Sequence, residues 1–203
     1  MKVIFLDNDG VICLANNWGS RRKKQKKWGG MKLSMSGSEI PLEYRFDNFD
    51  QKAVKVLNEI LEETDAEIVV SSDWRLYANL EELGEYYESQ GIIKKPIDVT
   101  ENFHFTKWRD EGFVPDHDDF PWSRNDYREQ ERHFEIMRYL GNYPSITHWV
   151  AVDDLHMGID VESSSYGPFE REWGLKNFVW TPRDWEGIKQ SGKKEKILKF
   201  LND

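Results

Sequence analysis

A chain of 203 residues can form one domain with a sizeable core and carry an insertion or a small cap. At 38% hydrophobic and 32% charged residues the composition is that of a soluble globular protein. No apolar run is long enough for a bilayer, and the short N-terminal one meets acids at once, unlike a signal peptide. The net charge of −9 argues against a broad non-specific nucleic-acid binder, and the single cysteine, Cys13, excludes an internal disulfide and fits the reducing cytoplasm.

The chain opens on Val3 to Leu6, a continuous apolar run of the kind buried on both faces of a parallel sheet. It stops at Asp7. A second acid, Asp9, follows with Gly10 to turn the chain. Two carboxylates at the C-terminal end of a buried strand can hold a hard cation such as Mg²⁺, or act as nucleophile and general acid. An Asp-rich turn with no further role is the alternative, since Asp, Asn and Gly dominate turns. Val11 to Leu14 is apolar enough to pack back, and Cys13 reads as a buried thiol rather than a nucleophile.

Ala15 to about residue 48 reads as a flap or insertion. It holds the basic run Arg21, Arg22, Lys23, Lys24, Lys26 and Lys27 between Trp18 and Trp28. Such a run is either a solvated, mobile surface or an electropositive lid for a polyanion, and the tryptophans either stack on bases or anchor the loop.

Asp50 to Glu63 has helical apolar spacing, with Asp47 or Asn48 as N-cap. Ala66 to Val70 is the second buried strand and ends in Ser71-Ser-Asp-Trp-Arg75. A helix over Leu76 to Ser89 and a third strand at Pro96 to Thr100 follow. Residues 101–125 are irregular. His117 among Asp116, Asp118 and Asp119 matches no metal template, and the other histidines receive no metal role either. Asp126 to Leu140 is a helix with Phe134, Ile136, Met137 and Leu140 inward. His148 to Val152 is a fourth strand delivering Asp153 and Asp154, Asn177 to Thr181 a fifth, and Ser191 to Leu201 the closing helix.

Strands alternating with helices predict an α/β fold: a three-layer, Rossmann-like parallel sheet of about five strands with helices on both faces. In such a sheet Asp7/Asp9, Ser71/Ser72 and Asp153/Asp154 leave one edge together. Acids for a metal, a hydroxyl for a phosphate oxygen and a cation nearby make up the parts for phosphoryl transfer.

These motifs, in this order, resemble the haloacid dehalogenase (HAD) superfamily. Leu6-Asp7-Asn8-Asp9-Gly10 matches its first motif, Val70-Ser71 its second, and Val152-Asp153-Asp154, with Asp160 following, its fourth. Ser71 to Arg75, Arg132 to Leu140 and Thr181 to Gly187 are similar to a narrower branch, the HAD-like domain of Swiss Army Knife RNA repair proteins. The resemblance implies a single HAD-like domain with a small or absent cap and a phosphatase working through an aspartyl-phosphate. Asp7 would be its nucleophile and Asp9 its general acid and base. Mg²⁺ would sit on Asp7, the Asp9 carbonyl and Asp154, with Asp153 or Asp160 completing the shell. Ser71 and Ser72 would hold phosphate. The family's lysine falls on Arg132 or Lys107, and Arg132 also reads as a helix-surface arginine. The expected substrate is a phosphorylated polynucleotide end, or alternatively a nucleotide or other small phosphomonoester. A module that binds phosphate without turnover is the alternative from another class.

Overall fold

The first strand, β1 (Lys2–Leu6), sits at the centre of the sheet because its side chains are apolar on both faces. In the computed structural model, which describes residues 1–27, 39–114, 127–157 and 174–203, it is flanked by β2 (Glu67–Val70) and β4 (His148–Asp153). The two-residue β3 (Asp98–Val99) and β5 (Phe178–Trp180) complete a five-stranded sheet in the order β3-β2-β1-β4-β5, every pair parallel. Leu6 pairs with both Val70 and Val152, so the three central strands end level and the residues after them share one edge.

Period-two alternation divides the core in two. Ile4, Leu6, Ile68, Val70, Val150 and Val152 pack under helices α3 (Gln51–Thr64), α4 (Leu80–Ser89) and α7 (Lys193–Asn202). Val3, Phe5, Val69 and Ala151 face Ile136 and Tyr139 of helix α6 (Tyr127–Asn142). This is the three-layer α/β arrangement the pattern predicts. Each fully buried Leu, Ile or Phe here contributes about 1.5–3 kcal/mol.

Helix boundaries differ from expectation where caps decide them. Asp50 caps α3, accepting from the Lys52 and Ala53 amides at 3.0 and 2.9 Å, so neither Asp47 nor Asn48 is its N-cap. The helix expected from Leu76 begins at Leu80. Asn79 and Glu82 form a reciprocal capping box there, and the chain before it is a 3-10 turn over Asp73–Leu76 capped by Ser72. The stripe of α6 is also shifted: positions 132, 136 and 139 face the sheet, Phe134 turns to a side cluster, and Met137 is exposed rather than inward. That i, i+4, i+7 line carries Arg132 to the sheet edge.

Two segments expected to be irregular contain helix. The basic run forms α1 (Ser20–Lys27), and α2 (Leu42–Arg45) follows. Between residues 101 and 114 lies α5 (Phe105–Asp110), whose Trp108 is fully buried against Val114 and Phe134. Trp28, His117 and Asp160 lie outside the described residues. Among the described residues no helix is long and apolar enough to cross a membrane.

The loop after β1 is braced from the far end of the chain. Thr181 Oγ1 donates to the Gly10 carbonyl at 3.3 Å, Ala15 N to the Asp184 carbonyl at 2.9 Å and Ile188 N to the Val11 carbonyl at 3.0 Å. Gly187 lies so close that a Cβ there would stand 2.1 Å from the Val11 oxygen.

Candidate active site

Asp7 continues the pairing of β1 by donating its amide to the Val152 carbonyl at 3.0 Å, and Ser71 does the same toward Leu6 at 2.9 Å. Those backbone bonds hold the first acid, the serine and Asp153 at fixed heights on one edge. The turn between Asp7 and Val11 is organised by Asn8, whose carbonyl accepts from the amides of Val11, Ile12 and Cys13 and whose buried side chain accepts from the Tyr87 hydroxyl at 2.6 Å. Gly10 has φ +69°, and a Cβ on it would stand 2.3 Å from Asp154 Oδ2. The glycine is what lets the fourth-strand acid approach the first-strand loop.

The carboxylates of Asp7, Asp153 and Asp154 each offer an oxygen within 4.8 Å of the others. Asp7 and Asp153 are buried and Asp154 is half-buried. Burial raises the proton affinity of all three, and mutual repulsion adds to it. Asp7 is pushed up to about 7 against the pull of Arg132, Asp154 to about 6, and Asp153 well above the ordinary carboxylate range. Such a group of acids carries unneutralised negative charge, and its oxygen donors suit a hard divalent cation. The residues therefore fit Mg²⁺.

Among the described residues one cation enters this cluster. Arg132 is 5% exposed, with Nη1 3.3 Å from Asp7 Oδ1 and 3.5 Å from Asp153 Oδ2, Nη2 3.3 Å from Asp73, and Nε 3.5 Å from Glu135. Nη1 also donates to the Ser71 carbonyl. Burial disfavours its charge, yet the surrounding carboxylates hold the guanidinium protonated above its ordinary value. Glu135 is fixed in turn by Arg75 at 2.6 Å and by the Phe103 amide at 2.8 Å. Arg132 is thus not a helix-surface arginine. The other candidate, Lys107, is on the exposed side of α5 in an ion pair with Glu101 at 2.5 Å, and no contact joins it to the acids.

The two serines differ. Ser72 Oγ accepts from the Trp74 amide, and its hydroxyl eases the ionisation of Asp7. Ser71 Oγ is buried with no partner among the described residues, an unmet donor at the end of β2. Asp9 is half-buried, and its charge acts on both Asp7 and Asp154. Its Oδ2 accepts from the Trp74 indole at 2.8 Å, with the Cys13 thiol, a second donor, beside the same carboxylate. Burial raises its proton affinity, and those two donors offset part of the effect.

Helix α1 carries its basic residues beside this edge. Ser20 and the Arg21 amide bond Asp47 at 3.1 and 2.6 Å, Gln25 bonds the Tyr44 carbonyl at 2.7 Å, and Lys24 reaches Asn48 at 3.0 Å. The run is an anchored helix, not a free loop. Arg21 and Asp47 both act electrostatically on Asp9, whereas Arg22, Lys23, Lys26 and Lys27 point to solvent. Trp18 is 47% exposed and tied by its Nε1 to the Cys13 carbonyl at 3.2 Å, so it is both anchor and exposed ring.

Roles for Trp74, Glu135, Asp73 and Cys13 did not follow from sequence. The cue was an indole placed three residues after a strand-ending serine, in Ser71-Ser-Asp-Trp-Arg75. No curated protein and no solved structure matches the chain. A family model does, over residues 3–176, which takes in the whole cluster of acids and Arg132. On that match the chain belongs to the family of HAD domains in Swiss Army Knife RNA repair proteins.

Proposed function

We propose that the protein is a Mg²⁺-dependent phosphatase that removes a phosphate from a polynucleotide end through an aspartyl-phosphate, working as one HAD-like unit. The observation that carries this reading is the triad of Asp7, Asp153 and the half-buried Asp154, with Arg132 set against it at the strand ends. Membership of a HAD family supports a phosphatase-like hydrolase.

In this reading an oxygen of Asp7 attacks phosphorus, the bond to the leaving oxygen breaks, and Asp9 gives that oxygen a proton. Asp9 then takes a proton from the water that attacks the aspartyl-phosphate, which frees inorganic phosphate and restores Asp7. Arg132 grips phosphate oxygens and favours the ionised nucleophile, its fork geometry serving where a lysine would offer a point charge. Ser71 Oγ, with no partner among the described residues, donates to a phosphate oxygen. Asp7, Asp153, Asp154 and the Asp9 carbonyl would hold a divalent ion, which would neutralise phosphate charge. The exposed cations of α1 lie where an extended polyanion would run.

Purified protein with Mg²⁺ should release phosphate from an aryl phosphate and, more efficiently, from a 5′- or 3′-phosphorylated oligonucleotide. Changing Lys23, Lys26 and Lys27 together to Glu should raise KM for the oligonucleotide about tenfold or more and leave the aryl phosphate unchanged. A preference for mononucleotides, or an oligonucleotide KM indifferent to the charge reversal, would replace the polynucleotide reading with the small-phosphomonoester one. Phosphate binding without turnover on any substrate would leave a binding module.

A further inference from the structure

Asp9 has a partner that the phosphatase reading does not use. The Trp74 indole donates to Asp9 Oδ2 at 2.8 Å from a ring that is only 6% exposed. That ring is stacked on Phe46 with centroids 4.4 Å apart and planes 9° apart, and on Phe49 at 5.3 Å and 24°. Tyr86 meets it edge-on at 5.9 Å, and the backbone amide of Trp74 is held by Ser72. An indole stacked on two rings and met edge-on by a third cannot swing its N–H away without breaking those contacts.

A carboxyl that is to pass a proton needs one oxygen held and the other free and aimed. An indole N–H only donates, so it never competes for the proton and always engages the oxygen that lacks one. We propose that Trp74 is a positioning residue which pins Asp9 Oδ2 and leaves Oδ1 as the atom that delivers the proton to the leaving oxygen. The inference rests on the reading of Asp9 as general acid. During the first transfer the Asp7–phosphorus bond forms, the bond from phosphorus to the leaving oxygen breaks, and the proton moves from Asp9 Oδ1 to that oxygen.

Leaving-group dependence separates aim from packing. A nitrophenyl phosphate expels a stable anion and needs little protonation, whereas an alkyl phosphate needs it fully. Trp74→Phe keeps a stacked ring and removes the N–H. It should lower kcat/KM about 100-fold on an alkyl phosphate and less than about fivefold on the nitrophenyl ester. Trp74→His, which restores a ring donor, should recover part of the alkyl-phosphate rate. Equal losses on both esters, or no difference between the Phe and His variants, would reduce Trp74 to a packing residue and overturn the proposal. Asp9→Asn serves as the reference. If it shows no leaving-group dependence, the general-acid reading itself has failed. If it shows a steep one and Trp74→Phe does not, only the positioning role falls.

Discussion

Replacing Asp7 by Asn should abolish turnover and yet make the metal-free protein more stable at high pH. Asp7 is 6% exposed, and burial, reinforced by the Asp154 and Asp9 charges, lifts it from 3.8 to about 7 despite Arg132 and Ser72. A carboxyl that holds its proton more tightly in the folded than in the unfolded chain contributes stability in acid. That contribution is complete below the unfolded value of 3.8 and is lost progressively as pH rises through about 7. Three powers of ten in proton affinity correspond to about 4 kcal/mol, which the wild type forgoes above neutrality and a non-ionising Asn does not. The substitution does not strand Arg132, which keeps Asp73, Glu135 and Asp153. Thermal unfolding in chelator near pH 9 should therefore place the variant about 10 °C above wild type, with the gap shrinking toward pH 5. Adding Mg²⁺ should raise the wild-type midpoint more than the variant's, since the ion binds an acid cluster that has lost a member. A variant no more stable than wild type near pH 9, or a gap that does not close in acid, would refute the electrostatic reading of the cluster.

Gly10→Ala should displace Asp154, because its Cβ would stand 2.3 Å from Oδ2 at φ +69°; titration calorimetry should show at least about tenfold weaker Mg²⁺ binding. Gly19→Ala is the control, with φ +85° but no atom within 4 Å of a Cβ, so Mg²⁺ affinity should stay unchanged. His133 is buried and its proton affinity is pushed down to about 4 by that burial. A histidine depressed in this way stabilises the fold above its unfolded value of 6.5 and loses that contribution as pH falls toward about 4. Relative to His133→Phe, the wild type should lose about 3 kcal/mol in urea unfolding across that window, and parallel pH curves for the two proteins would contradict it.

The centre of the sheet was legible because β1, β2 and β4 are short apolar runs, each leading into a polar pair, and burial on both faces leaves little room for another reading. The convergence of Asp7, Ser71, Asp153 and Asp154 on one edge followed from parallel pairing alone. Helix starts were less legible. Asp47 looks like a cap for α3 but serves α1 from across the chain, an exchange that local spacing does not encode. Helix α1 was hidden for a related reason. Ser20 to Lys27 has no apolar stripe, and its order comes from Tyr44, Asp47 and Asn48. Arg132 could be placed only once the inward stripe of α6 was known to run through 136 and 139 rather than 137. Trp74 gave least away, since its partner Asp9 lies 65 positions earlier.

The bracing of the first-strand loop by Thr181, Asp184 and Ile188 has a bearing on where this domain ends. All three, with the whole of the final helix, lie past residue 176, where the family match stops. A fragment trimmed to that limit would surrender the outermost strand, strip cover from Leu6 and Val152, and leave the Gly10 and Val11 carbonyls facing water. The family match thus stops short of residues that pack on the same sheet, and the segment from Thr181 onward braces the loop that carries Asp7 and Asp9.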